Sequence, residues 1–173
     1  DYLEAYNYLG ITLQKLRKLN EAEVIFKKAL ALKPDYVEVY NNLGITLQTL
    51  RKLKEAELIF KKALTLKPDF TIVHNNLGNT LKYLGRLNEA ELSFKKAVGL
   101  KPDYLEAHNN LGIILKSLGK LNEAEEIFNK ALAIKPDYKP ALVNRGQILF
   151  DKREFELSLK DFDTCNIPYS RFR

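Results

Sequence analysis

The sequence predicts an all-α solenoid. Three observations carry that expectation: a 34-residue recurrence, two helical apolar stripes in each recurring unit, and small residues set beside a phenylalanine in every unit. Gly10, Gly44, Gly78, Gly112 and Gly146 are 34 residues apart, as are Pro34, Pro68, Pro102 and Pro136. Asp1, Asp35, Asp69, Asp103 and Asp137 keep the same period, and so do Phe26, Phe60, Phe94, Phe128 and Phe162. Self-similarity of this kind marks repeat architectures, whose units bury their apolar faces only by stacking.

Five units follow in order: 3–36, 37–70, 71–104, 105–138 and 139–173, the last one divergent and continuing into an exit segment. The second unit shows the logic. Tyr40, Leu43, Leu47 and Leu50 fall at i, i+3, i+7 and i+10, one stripe of a first helix. Ala56, Phe60, Ala63 and Leu64 form the stripe of a second helix. Asp35 with Glu38 has the form of a capping box, repeated by Asp1 with Glu4 and Asp103 with Glu106. Asn20 with Glu23, Asn88 with Glu91 and Asn122 with Glu125 suggest the same start for the second helices, weakened in unit two by Lys54. Gly85 and Gly119 stand where a first helix must end. Pro34 and its copies stop each second helix. The glycine series and Ala22, Ala56, Ala90 and Ala124 let helix backbones approach, and the phenylalanines fill the space beside them.

Composition bounds the function. The chain has 173 residues, 46% apolar and 29% charged, which is globular rather than disordered. One cysteine excludes a disulfide framework and a multi-thiolate metal site, and it suits a reducing, cytoplasmic setting. No apolar run approaches the roughly 18 residues that span a bilayer, and no secretory signal opens the chain. The lack of any methionine, even at position 1, suggests a piece of a longer or processed chain.

These residues resemble the tetratricopeptide repeat (TPR) family. Its pattern of a large residue, Leu-Gly, Ala, Phe, a second Ala and Pro is met as Tyr40, Leu43-Gly44, Ala56, Phe60, Ala63 and Pro68, with His74 and His108 replacing the tyrosine in units three and four. The resemblance covers about residues 3 to 165. It implies a right-handed α-solenoid of stacked helix-turn-helix units and a protein-binding role. Unit five departs from the pattern: Ser158 and Cys165 replace the two alanines, and Pro168 comes two residues early.

On the first helices, Glu38, Asn41, Asn42, Ile45, Gln48 and Thr49 lie opposite the apolar stripe. Unit three offers Ile72, Asn75, Asn76, Asn79, Lys82 and Tyr83 there, and unit four Glu106, Asn109, Asn110, Ile113, Lys116 and Ser117. The resemblance implies that this side lines the concave surface. Asn-Asn pairs recur on it, preceded by Asn7 and followed by Asn144. Asparagine is a mediocre helix former, and its amide both donates and accepts, as a peptide group requires. Asn42, Asn76, Asn110 and Asn144 match the asparagine ladder of the TPR superhelix in O-GlcNAc transferase, which implies that they hold a peptide main chain. Tyr8 interrupts the ladder in unit one. Side-chain selectivity is expected from Ile45, Asn79, Lys82, Tyr83, Ile113 and Lys116. The bland alternative is that duplication copied a neutral asparagine that bonds within the protein. The cations of the family's clamp for chaperone C-termini are missing.

The net charge of +6 raises nucleic acid as a partner. The Lys27-Lys28, Lys61-Lys62 and Lys95-Lys96 pairs, however, lack interleaved aromatics and sit four residues after glutamates, as in Glu23/Lys27, Glu57/Lys61 and Glu91/Lys95. In unit four that pairing shifts to Glu126/Lys130. These charges are expected to be partnered and solvated. A pentatricopeptide RNA reader lacks this Gly/Ala/Phe/Pro set. His74 and His108 read as packing residues rather than metal ligands, and Cys165 as packing rather than a nucleophile. No catalytic set and no cofactor motif is present. The expected function is binding an extended peptide or protein segment, with no nucleic-acid or membrane partner. Two alternatives remain. One is a spacer or end-to-end self-assembling scaffold, suggested by Leu9, Leu13, Phe155, Phe162 and Phe172. The other is a substrate-recruiting array of an enzyme whose catalytic domain lies outside this chain.

Overall fold

The structure is a computed structural model and describes residues 2–165. Asp1, Pro168 and Phe172, and with them the first capping pair and the exit segment, lie outside the described residues. Among the described residues there are ten helices and no strand: α1 (Tyr2–Lys15), α2 (Leu19–Leu32), α3 (Val37–Thr49), α4 (Leu53–Leu66), α5 (Thr71–Tyr83), α6 (Leu87–Leu100), α7 (Leu105–Ser117), α8 (Leu121–Ile134), α9 (Lys139–Asp151) and α10 (Phe155–Thr164). The chain divides into two compact units, residues 1–93 and 94–173. In the first, α1 packs on α2, α2 on α3, α3 on α4 and α4 on α5, while α1 also touches α3 and α3 touches α5. In the second, α7 packs on α8, α8 on α9 and α9 on α10, and α7 touches α9. Each unit is a stack of helical hairpins, the all-α solenoid arrangement.

One turn recurs after every first helix. Arg17 N donates to Gln14 O at 3.0 Å and Lys18 N to Leu13 O at 2.9 Å. That 5→2 and 6→1 pair is a Schellman motif, which needs a left-handed residue just past the helix. The same two bonds recur at Arg51 and Lys52, Gly85 and Arg86, Gly119 and Lys120, and Arg153 and Glu154. The left-handed residue is glycine in two repeats, with φ of 76° at Gly85 and Gly119. In the other three it is arginine, with φ of 62° at Arg17 and Arg51 and 65° at Arg153.

This turn corrects the expected second-helix starts. It leaves so few residues between the helices that Lys18, Lys52 and Lys120 occupy the N-cap positions of α2, α4 and α8, with no side-chain capping bond. Asn20, Asn88 and Asn122 fall inside the first turn of their helices and are exposed. Lys54 therefore weakens nothing: Lys52 and Lys18 have nearly identical φ and ψ, −81°, 59° and −84°, 59°. The aspartate boxes are corrected in the same way. The N-cap residues are Tyr36, Tyr104 and Tyr138, again without a side-chain bond. Tyr36 N folds back to Lys33 O at 3.3 Å, which leaves Asp35 on the exposed tip of a turn.

The Gly–Phe pairing is intimate. A Cβ on Gly44 would stand 2.4 Å from the Phe60 ring, and one on Gly10 2.4 Å from Phe26. Gly112 and Phe128 repeat the contact at 2.5 Å, and Gly146 and Phe162 at 2.9 Å. Phe26, Phe60, Phe94 and Phe128 are fully buried. Phe162 is buried as well, so it is not an open end, and neither is Leu13. Leu9 and Phe155 are exposed. Val39, Val73, Ala107 and Ala141 complete the core where the apolar stripe of the first helices is broader than the sequence suggests.

The tyrosine/histidine position has one chemical role. Tyr40 Oη donates to Pro34 O at 3.0 Å, and the Nε2 atoms of His74 and His108 lie 2.8 Å from the Pro68 and Pro102 carbonyls. A carbonyl only accepts, so Nε2 carries the proton in both rings. His108 is buried, and both histidines tie a helix to the preceding turn.

The glutamate/lysine pairs do more than the helix spacing implies. Glu23 is 7% exposed and accepts from Lys27 at 2.6 Å and from Lys52, in the next repeat, at 2.8 Å. Glu57 accepts from Lys61 at 2.7 Å and from Arg86 at 2.6 Å. These carboxylates are clasped between repeats, a correction to the expected solvated face. In unit four it is Glu125, not Glu126, that takes the cross-repeat role, bonded to Lys152 at 2.5 Å.

Candidate functional site

The asparagine pairs lie on the first helices and bond to one another across repeats. In residues 1–93, Asn42 Nδ2 on α3 donates to Asn7 Oδ1 on α1 at 2.9 Å. Asn76 Nδ2 on α5 donates to Asn41 Oδ1 on α3 at 2.9 Å. In residues 94–173, Asn144 Nδ2 on α9 donates to Asn109 Oδ1 on α7 at 3.1 Å and to Pro140 O at 2.8 Å. The second asparagine of one repeat thus donates to the first asparagine of the repeat before it. This distinguishes two roles that the sequence reading merged. Asn7, Asn41 and Asn109 are acceptors that hold the neighbouring amide, and Asn75 is only 1% exposed. Asn42, Asn76 and Asn144 are half-buried, and their Oδ1 atoms accept no hydrogen bond from the described residues. Asn110 is half-buried on α7.

Neighbouring polar groups reinforce this contact. Gln14 Nε2 donates to Thr46 Oγ1 at 2.7 Å and to Asn42 O at 3.1 Å, and Gln48 Nε2 donates to Thr80 Oγ1 at 3.3 Å. Thr46 and Thr80 are fully buried. The sequence reading passed over them, although their spacing of one repeat signals a shared task.

The remaining expected residues divide by unit. In the first, Ile45 is half-buried and lines a recess of about 270 Å³ with Gln14, Lys15, Arg17, Leu19 and Thr49. A second recess of about 260 Å³ is lined by Gln48, Thr49, Arg51 and Tyr83. The two are related by one repeat: Gln48, Thr49, Arg51 and Tyr83 stand where Gln14, Lys15, Arg17 and Thr49 stand in the first. Tyr83 is 54% exposed, with the Arg51 guanidinium 5.7 Å and the Lys82 ammonium 5.2 Å from its ring centre. Asn79 is half-buried on α5. In the second unit, Ile113 and Lys116 are half-buried on α7.

Several carboxylates are engaged by cations of their own or a neighbouring repeat. Lys27 and Lys52 hold the Glu23 carboxyl below the usual range. Burial pushes Glu57 up, but Lys61 and Arg86 outweigh it and the net shift is downward. In the last repeat, Arg145 forms a two-pronged pair with Asp161, Nε–Oδ2 at 2.8 Å and Nη2–Oδ1 at 2.5 Å, and also donates to Asn129 at 2.6 Å. Arg145 occupies the place of Leu43 and Leu111, and Asp161 that of Ile127, so two coupled replacements make one pair. Ser158 Oγ donates to Gly146 O at 2.8 Å, which accounts for a serine in an alanine position. Cys165 is buried, and burial raises its thiol pKa, away from nucleophilic character.

Tetratricopeptide-repeat family models match residues 1–69 and 105–138, and a further TPR-repeat model matches residues 78–119. Tetratricopeptide repeats are thus recognised over residues 1–69 and 78–138. No curated protein matches it. Among solved structures it is similar to PilF of Pseudomonas aeruginosa, with 26% identity, a TM-score of 0.86, and coverage of 94% of this chain and 74% of that one. It is similar to YrrB, described as a TPR protein with an unusual peptide-binding site, with 26% identity, a TM-score of 0.75, and coverage of 92% and 82%. MamA from Desulfovibrio magneticus RS-1 shares the fold at 19% identity, with a TM-score of 0.86 and coverage of 100% and 98%. No helix among the described residues is long and apolar enough to cross a membrane.

Proposed function

We propose that this TPR array binds an extended protein segment along the face of its first helices, through amide groups of the asparagine ladder. The observation that carries the reading is the cross-repeat bond made by Asn42, Asn76 and Asn144. One N–H of Asn42 and of Asn76 is committed to the preceding repeat, which fixes the orientation of the amide and leaves its Oδ1 for a guest N–H. Pre-orientation lowers the entropy cost of each guest bond. The same arrangement at Asn144 supports an independent rung in residues 94–173. The peptide-binding description of YrrB adds to the reading. Each bond contributes about 1 kcal/mol net, so useful affinity requires several rungs together.

The test is a peptide pair of one sequence, with and without N-methylation at alternate backbone amides, measured by fluorescence anisotropy. Main-chain recognition predicts that methylation abolishes binding. Equal affinity would refute it.

A second reading, self-association, draws on the exposed apolar residues Tyr2 and Leu9 on α1 and Phe155 and Leu157 on α10. It predicts a solution mass that rises with concentration.

A further inference from the structure

The two equivalent recesses in residues 1–93 each carry an arginine in their lining. Lys27, Lys52, Lys61 and Arg86 are held by carboxylates of α2 and α4. Lys15, Arg17, Arg51 and Lys82 form no ion pair with any described residue. Arg17 and Lys15 line one recess, and Arg51 lines the other beside Tyr83, whose ring also receives Lys82. No carboxylate of the described residues lines either recess.

Arg17 and Arg51 also carry a backbone cost. Both sit at the left-handed position that Gly85 and Gly119 fill without strain in the following repeats. Arg153 holds the same conformation away from either recess, so the strain by itself does not mark a site. Each guanidinium offers a planar fork that suits a carboxylate. A cation at a helix C-terminus is favourable in itself; Lys15 already supplies one in the last turn of α1, whereas the last turn of α3 has none.

We propose that these recesses take acidic side chains of the bound segment, with Arg17 and Arg51 each holding one carboxylate. The inference rests on the peptide-binding reading above and adds the chemistry of the guest: Asp or Glu side chains along an extended chain. Gln14 and Gln48, which line the two recesses, donate to Thr46 and Thr80, and Gln14 also donates to the main-chain carbonyl of the rung Asn42.

The test uses two fluorescein-labelled peptides, one alternating Ser with Glu and the other alternating Ser with Gln. They are measured against the whole protein and against Arg17→Gly and Arg51→Gly, with thermal melts in parallel. The Glu peptide should bind more tightly than the Gln peptide, and the preference should shrink in high salt. Each arginine replacement should cost about tenfold in affinity for the Glu peptide, the equivalent of one lost charge-assisted bond. It should leave the Gln peptide unaffected and raise the melting temperature, because the left-handed strain is relieved. A variant that melts higher and still binds the Glu peptide fully would overturn the proposal, as would equal binding of both peptides, which leaves the main-chain reading intact. Binding of neither peptide would overturn both. Equal competition by a single-stranded oligonucleotide of matched charge would overturn the assignment to carboxylates.

Discussion

Arg17, Arg51 and Arg153 hold φ between 62° and 65°, while glycine serves the same turn elsewhere in the chain. Arg153→Gly, away from the two recesses, should therefore raise stability by about 1 kcal/mol, measurable by urea unfolding. The opposite holds at the helix contact. Gly44→Ala would drive a methyl to 2.4 Å from the Phe60 ring, and neither that ring nor the helix backbone can give way cheaply. A loss of about 1–3 kcal/mol is expected in the same measurement. The Arg145–Asp161 pair offers a third residue-scale test. Asp161 is 2% exposed, so Arg145→Leu alone strands a buried carboxylate and should cost about 3 kcal/mol. Restoring the repeat pattern with Arg145→Leu and Asp161→Ile together should recover most of that loss. A double variant as unstable as the single one would show that the pair has another role.

At the scale of the element, helices are placed by turns and docking rather than by side-chain caps. The Schellman turn closes each first helix and opens the second almost at once. For that reason the asparagines that look like caps are interior residues. The period, the small residues and the glycine-terminated helices were legible because each is a local or strictly periodic requirement. The capping boxes misled because a Ser/Thr/Asp/Asn and Glu spacing also arises when the glutamate serves something distant. Glu23 shows this: its carboxylate is engaged by Lys27 and Lys52, and no helical wheel of one repeat reveals the second partner. The pH consequence has a definite sign. Lys27 and Lys52 hold Glu23, and Lys61 and Arg86 hold Glu57 against the opposing push of burial, below the ordinary value of 4.5. The stability that they contribute is fully present above pH 4.5 and is lost as the pH falls through their lowered folded-state values. Glu23→Gln with Glu57→Gln should lower stability at neutral pH and flatten its decline in acid, as followed by urea unfolding at stepped pH. An unchanged acid decline would show that other groups control it.

For the molecule as a whole, the question is whether the repeated asparagines serve the fold, a guest, or both. The sequence placed them on one face, because the face follows from helical spacing. It did not show that they meet each other. A signal was present nonetheless: a doubled asparagine in a 34-residue repeat offers partners 35 residues apart, the separation of Asn7 from Asn42, Asn41 from Asn76 and Asn109 from Asn144. Recognising it required knowing that neighbouring first helices are in contact. The two roles are compatible, since an amide has more hydrogen-bonding capacity than one cross-repeat bond uses. They are separable by experiment, because Asn7→Ala and Asn41→Ala remove the acceptors while leaving the ladder amides in place. The most direct measurement is the affinity of an extended peptide for the chain carrying Asn42→Ala, Asn76→Ala, Asn110→Ala and Asn144→Ala, with the Asn7→Ala, Asn41→Ala variant and thermal melts of both as controls. Cross-repeat orientation of the rungs predicts that the fourfold variant stays folded and loses binding, while the control pair, whose Asn42 and Asn76 amides lose their orienting acceptors, melts lower and binds more weakly without losing binding altogether. A fourfold variant that stays folded and binds as well as the parent would contradict it.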